Sequence, residues 1–536
     1  MYRKALQFAA ISMTLFGSAL QMRAQPASCT TLTGLKYSGI VIQTAEQVAA
    51  GQAAINFPGM PPLPANWQFP AHCLVRGSIS PRTGGDGKHY EIRFELRLPS
   101  PWNGKFLFQG GGGLDGVVQP AIGLVNFGAL PALSRNYAVV STDAGHEGAN
   151  NPAFGHEQQA RLDFAYAAIG EVTRVAKAIL LAYYGKAEDH SYFVGCSNGG
   201  REAMIAVERY PLEFDGAVAG DPGFDLAHAV IGEAWDTGTL MSIAPRGNGG
   251  QPILSEAFSQ PDLDLVRDAV LNQCDALDGL KDGEINNFEA CKFDPETLVC
   301  QPGQSSKCLQ REQVDALKRV FRGARNSAGN QLYAGWPYDA GISDMGWRVW
   351  KLGTSTGPMP NAVNVMLGWP ALKEYFVHPY LPNLDLAHID FDKITAEVEE
   401  THAIDDPIST DLGTFAQREG RLIIFQGVSD PVFSADDIID YYRQFSEANG
   451  GIEHAASVAR LFLIPGMGHC QGGPATDQFD PLDSLEKWVE KGSAPKSITA
   501  SGHAFPNRTR PLCPYPQYAS YKGSGDPEKE ESFVCK

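Results

Sequence analysis

The chain has 536 residues, of which 43% are hydrophobic, and it carries a formal net charge of −18. This length exceeds one ordinary domain, so we expect two domains or a core with a large insertion. The negative charge argues against a nucleic-acid partner and against binding to anionic membrane surfaces, because both require a basic face.

The first residues have the composition of a secretory signal peptide. Arg3 and Lys4 precede an uncharged, mostly apolar stretch at 5–20, and a polar segment begins at Arg23. The apolar run is short and interrupted by Ser and Gly, so it does not predict a membrane-spanning helix. We therefore predict a signal peptide over residues 1–25 and a secreted or periplasmic protein without a membrane anchor.

Strands and helices alternate along the next part of the chain. Residues 90–98 alternate apolar and polar side chains, and apolar runs at 105–108 and 137–142 predict two further strands. Residues 160–184 have the pattern of a long amphipathic helix, and 216–220 form another short apolar run. Such alternation predicts an α/β fold with a mostly parallel sheet.

A glycine-rich loop follows the strand at 105–108. Four consecutive glycines occupy 110–113. If the chain is a hydrolase, the amides of Gly111 and Gly112, with that of Asn198, are placed to stabilise a developing oxyanion. The run lacks the P-loop lysine and the Rossmann spacing, so we expect no organic cofactor.

The most informative segment is 194–200, which contains a G-x-S-x-G motif centred on Ser197. It follows an apolar run at 192–194 and precedes a helical pattern at 201–209. A serine on a sharp turn between strand and helix is the nucleophile elbow of α/β-hydrolases, and the glycines beside it avoid Cβ clashes. The pattern predicts Ser197 as a catalytic nucleophile.

An acid and a histidine follow in the order that α/β-hydrolases use. Asp430 comes just after the apolar run at 422–425, and His469 follows the run at 461–464 in a glycine-containing loop. Taken singly, each is equally well a solvated loop residue. Their joint order and strand context favour a triad, in which His469 takes the serine proton and Asp430 fixes the histidine tautomer.

Ten cysteines, an even number, indicate an oxidising compartment. Cys196 precedes the nucleophile and Cys470 follows the histidine. If those two catalytic residues are within hydrogen-bond reach, a disulfide can join their neighbours, although two buried thiols remain an alternative. Close spacing suggests the pairs Cys300–Cys308 and Cys513–Cys535, whereas spacing leaves the other connectivities open.

A large insertion separates the two parts of the predicted core. Core strands stop near Phe224 and resume near Leu422, and five of the eight tryptophans fall between them. We predict a hydrolase core at 26–223 and 413–536, with a lid domain at 224–412. An insertion between the nucleophile and the acid is where a lid covers an active site.

Within the insertion, Asp275, Asp278 and Asp282 lie within eight residues of one another, and glycines follow two of them. Calcium takes carboxylate and backbone oxygens, although this spacing is not that of an EF-hand. From the spacing alone, a calcium loop and a solvated acidic turn are equally consistent.

Taken together, the motifs resemble the tannase and feruloyl esterase family, which includes a terephthalate monoester hydrolase. The resemblance rests on Gly195-Cys196-Ser197-x-Gly199-Gly200-Arg201-Glu202, Asp430-Pro431-Val432 and Gly466-Met467-x-His469-Cys470. It covers nearly the whole mature chain. It implies an α/β-hydrolase core, a lid over an aromatic acyl group, and a bond between the two cysteines of the motif.

The same resemblance implies further sites. It implies structural calcium bound by Asp275, Asp278 and Asp282 with the Leu280 and Glu284 carbonyls. It also implies the disulfides Cys29–Cys73 and Cys274–Cys291. One departure concerns the substrate: the terephthalate hydrolase of the family holds its substrate carboxylate with a lid arginine, whereas this chain has no arginine between Arg348 and Arg418.

We therefore predict a secreted serine carboxylesterase that hydrolyses esters of hydroxycinnamic, gallic or similar aromatic acids through an acyl-enzyme on Ser197. A terephthalate monoester hydrolase on the same scaffold is the main alternative. A serine exopeptidase of this fold and a non-catalytic binding protein are the others. The acyl group, the alcohol and the oligomeric state stay open at this stage.

Overall fold

The computed structural model describes residues 27–51, 63–64, 66–124, 128–385 and 388–536. The predicted signal peptide at 1–25 lies outside these residues. Among the helices of the described residues, none is both long and apolar enough to cross a bilayer.

A nine-stranded sheet lies at the centre of the described chain. Its strands are β1 (Ile40–Val48), β2 (Ala71–Thr83), β3 (His89–Ser100), β4 (Lys105–Gln109), β5 (Ala138–Thr142), β6 (His190–Cys196), β7 (Gly216–Gly220), β8 (Arg421–Gly427) and β9 (Ala459–Ile464). Their spatial order is β1-β2-β3-β5-β4-β6-β7-β8-β9. The first three pairings are antiparallel, and the five from β5–β4 to β8–β9 are parallel.

The parallel strands are buried on both faces. Strand β6 carries Tyr192, Phe193 and Val194, and β8 carries the apolar run 422–425, all without solvent exposure. Continuous apolar runs of this kind are expected where helices cover both sides of a sheet. The mostly parallel α/β sheet confirms the predicted fold class, although the sequence patterns did not reveal the antiparallel strands β1 and β2.

Helices flank the sheet and fill the segment between β7 and β8. They are α1 (Gln158–Leu162), α2 (Ala168–Tyr184), α3 (Asn198–Arg209), α4 (Leu226–Ile243), α5 (Gln260–Cys274), α6 (Arg311–Phe321), α7 (Met345–Lys351), α8 (Trp369–Ala371), α9 (Phe391–Asp405), α10 (Gly413–Gln417), α11 (Ala435–Ala448), α12 (Ile452–Ala455) and α13 (Pro481–Lys491). Two small hairpins near the C-terminus pair β10 (Ile498–Ala500) with β11 (Arg510–Leu512) and β12 (Ala519–Tyr521) with β13 (Phe533–Cys535).

The predicted helix at 160–184 is interrupted by a π-helical turn at Asp163–Ala167, between α1 and α2. The carbonyls of Phe164 and Ala165 in that turn accept hydrogen bonds from the guanidinium of Arg201 in α3. Arg201 also forms a buried ion pair with Asp405 at the end of α9, with 2.7 Å between Nη1 and Oδ1. The π-turn thus frees carbonyls for an arginine that joins the core to the last helix of the predicted lid.

Five disulfides use all ten cysteines of the chain. They are Cys29–Cys73, Cys196–Cys470, Cys274–Cys291, Cys300–Cys308 and Cys513–Cys535. These pairs coincide with those that spacing and family resemblance suggested. The boundaries predicted for the lid, 224–412, agree with the helical segment between β7 and β8 but stay a prediction.

Candidate active site

Ser197 lies at the turn between β6 and α3, where the sequence analysis predicts a nucleophile. Its backbone adopts φ 64° and ψ −128°, a conformation that residues with a Cβ rarely take. The turn is tight: a Cβ on Gly195 would overlap the Gly199 backbone, and one on Gly200 would overlap the Gly220 carbonyl. The glycines therefore allow the close approach that holds Ser197 at the edge of a cavity, which its side chain lines.

Asp430 and His469 come together at the same edge of the sheet. Asp430 follows β8 and His469 follows β9, the parallel neighbour of β8. The distance between His469 Nδ1 and Asp430 Oδ2 is 2.8 Å. Ser197 and His469 line the same cavity, and Asp430, which does not line it, contacts His469.

The surroundings of Asp430 decide which nitrogen of His469 carries a proton. Asp430 is buried and accepts hydrogen bonds from the Val432 amide at 2.7 Å, the Phe433 amide at 3.2 Å and the Gln426 side chain at 3.2 Å. An ionised carboxylate can only accept hydrogen bonds. In its contact with Asp430, Nδ1 of His469 is therefore the donor. That arrangement leaves Nε2 of the histidine free to accept a proton.

A second buried carboxyl, Asp221, lies beside Asp430 and was not predicted from the sequence. One oxygen of each aspartate and one nitrogen of His469 all lie within 4.8 Å of one another. Burial, and then the charge of Asp430, raise the pKa of Asp221 well above its usual range. This shift favours the protonated form of Asp221, which also accepts the Gly427 amide at 2.7 Å. Its only sequence signal was its position directly after β7.

The Cys196–Cys470 disulfide closes the site on another side. Its Cα atoms are 6.0 Å apart, and it links the residue before Ser197 to the residue after His469. One Asp221 oxygen lies 3.7 Å from the Cys196 sulfur. The bond therefore joins the nucleophile loop directly to the histidine loop.

The glycine loop differs from the sequence expectation in its hydrogen bonds. The Gly111 amide donates to Glu202 at 2.8 Å, and the Gly112 amide donates to Asp115 at 2.9 Å. The two glycine amides predicted as oxyanion donors are thus engaged by buried carboxyl groups. The Gly113 amide makes no hydrogen bond within the described residues, and that of Asn198 opens α3, where helical amides lack a partner.

The two carboxyl groups also connect the glycine loop to α3. Burial and the charge of Glu202 raise the pKa of Asp115 well above its usual range, which favours its protonated form. The Asn198 side chain donates to Asp115 at 2.8 Å. Gly113 and Asn198, whose backbone N–H groups are not engaged in this network, both line the cavity.

The cavity above Ser197 has a volume of about 580 Å³. Helices of the predicted lid supply much of its apolar wall, including Leu226, Val230, Trp350 and Phe376. The Trp350 ring meets the His469 ring edge-on, with 5.4 Å between centroids. An apolar pocket with a few polar groups is the usual form of a small-molecule site.

Comparison with known proteins identifies the family. A family model described as tannase and feruloyl esterase matches residues 73–536. The chain belongs to the tannase and feruloyl esterase family. Its predicted activity class is thereby confirmed: the protein is a carboxylic ester hydrolase with an α/β-hydrolase fold.

Individual relatives agree with this assignment. The chain is 44% identical to mono(2-hydroxyethyl) terephthalate hydrolase of Piscinibacter sakaiensis over 87% of this chain and 85% of that protein. The crystal structure of feruloyl esterase B from Aspergillus oryzae superposes with a TM-score of 0.79 at 25% identity, over 95% of this chain and 100% of that one. Tannin acyl hydrolase from Aspergillus niger shares the fold, with a TM-score of 0.69 at 21% identity over 93% and 92% of the chains.

The acidic loop of this esterase lies away from the cavity lining. Asp275 accepts the Asp282 and Gly283 amides, and Asp278 accepts the Leu280 amide and the Asn286 side chain. Burial raises the pKa of Asp278 to about 6, and the nearby charge of Asp282 adds to the effect. Asp282 also pairs with Arg510.

The donors of this loop, carboxylates and backbone carbonyls, are the oxygen ligands that calcium prefers. The carboxylates of the three aspartates do not converge on one point. Within the described residues, the three aspartates do not form a group whose ligand atoms all lie within 4.8 Å of one another. The chemistry of the donor set therefore fits calcium, whereas their spacing is wider than a compact cluster.

Proposed function

We propose that this esterase hydrolyses esters of aromatic acids with hydroxycinnamic, gallic or similar acyl groups. The observation that carries the proposal is the apolar cavity of about 580 Å³ that Ser197 and His469 share with aromatic side chains of the lid segment. A flat aromatic acyl group fills such a space with favourable apolar and ring contacts.

The reaction proceeds in two steps on Ser197. His469 Nε2 takes the serine proton while the serine oxygen attacks the ester carbonyl carbon, and the carbonyl oxygen becomes negative. The amides of Gly113 and Asn198 stabilise this oxyanion. The alcohol leaves with the proton from His469, and a water activated by His469 then hydrolyses the acyl-enzyme. Asp430 stabilises the imidazolium throughout.

A terephthalate monoester is the second candidate substrate. It is favoured by the 44% identity to the terephthalate monoester hydrolase. The ring carboxylate of such an ester needs a compensating donor or cation in a low-dielectric cavity. Among the described residues that line the cavity, none is lysine or arginine, so no cation compensates that charge, which favours uncharged aromatic acyl groups.

Two further features belong to the proposal. The composition of residues 1–25 and the five disulfides support export to the periplasm or the medium. The carboxylates of Asp275, Asp278 and Asp282, with the Leu280 and Glu284 carbonyls, would hold a structural calcium ion that stabilises the lid segment. Its role would be in folding, since these residues do not line the cavity.

The experiment is a hydrolysis panel of methyl ferulate, methyl gallate and mono(2-hydroxyethyl) terephthalate, with Ser197→Ala as the control. We expect hydrolysis of at least one of the first two esters by the wild type and none by the variant. A fluorophosphonate probe should label the wild type at Ser197 alone. The proposal would be overturned if the wild type hydrolysed none of the three esters, or if Ser197→Ala retained activity.

A further inference from the structure

A glutamate forms part of the cavity wall. Leu226, Val230 and Glu233 stand at helical spacing on α4 and line the cavity together. The Glu233 side chain packs against Gly368 in the helical segment after Val363, where any Cβ would overlap its Oε2. Gly368 therefore makes the room that this carboxyl group occupies.

The Glu233 carboxyl group is neutral near pH 7. Glu233 is only 8% exposed, and burial raises its pKa to about 8. The charges of Asp236 and Asp430 act in the same direction. Lys351 opposes them, but its ammonium is bound to Asp236 at 2.6 Å.

The same group lacks a hydrogen-bond partner among the described residues. Across the described residues, Glu233 makes no hydrogen bond to another side chain or to the backbone. A neutral carboxyl group offers one O–H donor and a carbonyl acceptor. A polar group that faces a cavity without a protein partner is available to a polar substituent of the bound molecule.

We propose that Glu233 is a specificity-determining residue that hydrogen-bonds a ring hydroxyl of the aromatic acyl group. This inference rests on the proposed function and narrows it to uncharged, hydroxylated aromatic acids. A phenol donates to the carboxyl carbonyl oxygen and accepts from the carboxyl O–H, so both groups are satisfied. A ring carboxylate would instead bring a negative charge beside Glu233 in a cavity whose described lining residues include no lysine or arginine.

The test compares kcat/KM for methyl 4-hydroxycinnamate and methyl cinnamate, which differ by one hydroxyl. Sites built to bind a hydroxyl discriminate strongly against its absence, so we expect the wild type to prefer the hydroxylated ester about 10-fold or more. Glu233→Leu should bring this ratio close to one. Glu233→Gln retains a donor and an acceptor and should keep most of the preference. Glu256→Gln, at an exposed glutamate of the same lid segment, should leave the ratio unchanged.

A second measurement uses pH and serves if Glu233→Leu does not fold. Glu233 ionises as the pH rises through about 8, and its charge then repels a ring carboxylate. We expect kcat/KM for mono(2-hydroxyethyl) terephthalate, divided by that for methyl cinnamate, to fall between pH 7 and pH 9 in the wild type. In Glu233→Gln the ratio should stay level.

The outcomes separate this inference from the proposed function. Equal rates on the two cinnamates in the wild type, or the same preference in Glu233→Leu, would overturn the role of Glu233 while leaving an aromatic esterase. A falling terephthalate ratio in Glu233→Gln would overturn it as well. If the wild type hydrolyses no aromatic ester, the proposed function fails and the inference fails with it.

Discussion

Loss of the Cys196–Cys470 disulfide should impair catalysis more than substrate binding. The bond joins the neighbours of Ser197 and His469 with Cα atoms 6.0 Å apart. Without it, the two loops can separate, and a displacement of about 1 Å between reacting groups costs about 10²-fold in rate. We therefore predict that replacing both cysteines by alanine lowers kcat about 10²-fold and changes KM much less.

The effect on stability follows from the length of chain that the bond closes. Cys196 and Cys470 are 274 residues apart, and the Cys513–Cys535 pair is 22 residues apart. In the chain-entropy model, loops of these lengths correspond to about 5 and about 3 kcal/mol of stabilisation. Two short disulfides inside the longer loop shorten its effective length only slightly. Both double variants should therefore be destabilised.

The Cys513–Cys535 double variant supplies the matched control. That disulfide ties β13 to the segment after β11, and neither of its cysteines lines the cavity. Urea unfolding and steady-state kinetics on one ester should be measured for the wild type and for both double-alanine variants. We expect both variants to unfold at lower urea concentration and only the Cys196→Ala, Cys470→Ala variant to lose kcat.

Two results would refute the reasoning. If both variants lose kcat equally, the loss reflects stability and not the geometry of the site. If the Cys196→Ala, Cys470→Ala variant is destabilised but keeps its kcat, the two loops hold their positions without the bond.

Three other predictions concern the aspartates. Asp430→Asn should lower kcat about 10⁴-fold by favouring the wrong histidine tautomer, and wild-type kcat would contradict its role. Because the pKa of Asp221 is raised on folding, the stability it contributes is present below about pH 4 and is lost as the pH rises. Asp221→Asn, which keeps a donor to Asp430, should retain kcat at pH 7. Between pH 5 and pH 9, the urea midpoint of this variant should fall less than that of the wild type. Equal falls in the two proteins would count against a protonated Asp221. A chelator should lower the melting temperature of the wild type but not that of Asp278→Ala. If elemental analysis finds no calcium in the purified protein, the loop is an acidic turn and not a calcium site.

Local sequence patterns were enough to predict the family, the fold class and the three candidate catalytic residues. Ser197, Asp430 and His469 each follow an apolar run, and such runs mark buried parallel strands. Because parallel strands end at the same edge of a sheet, chain order alone indicated that these side chains meet. The nucleophile elbow could also be predicted from sequence, because its glycines are required locally to avoid Cβ clashes in the tight turn.

Other parts of the site depended on contacts between distant segments. Asp221 lies beside Asp430 because β7 pairs with β8, although 200 residues (221–420) lie between the two strands. The Gly111 amide donates a hydrogen bond to Glu202, which lies 91 residues further along the chain. Nothing in the glycine run itself indicated which of its amides would be engaged.

The sequence by itself therefore determined which residues carry the reactive groups, because turn geometry and strand burial are encoded locally. Only the tertiary structure decided the raised pKa values of Asp221 and Glu233 and which backbone amides of the glycine loop are engaged. These properties depend on desolvation and on hydrogen-bond partners, and both are set by side chains that folding brings together from separate segments.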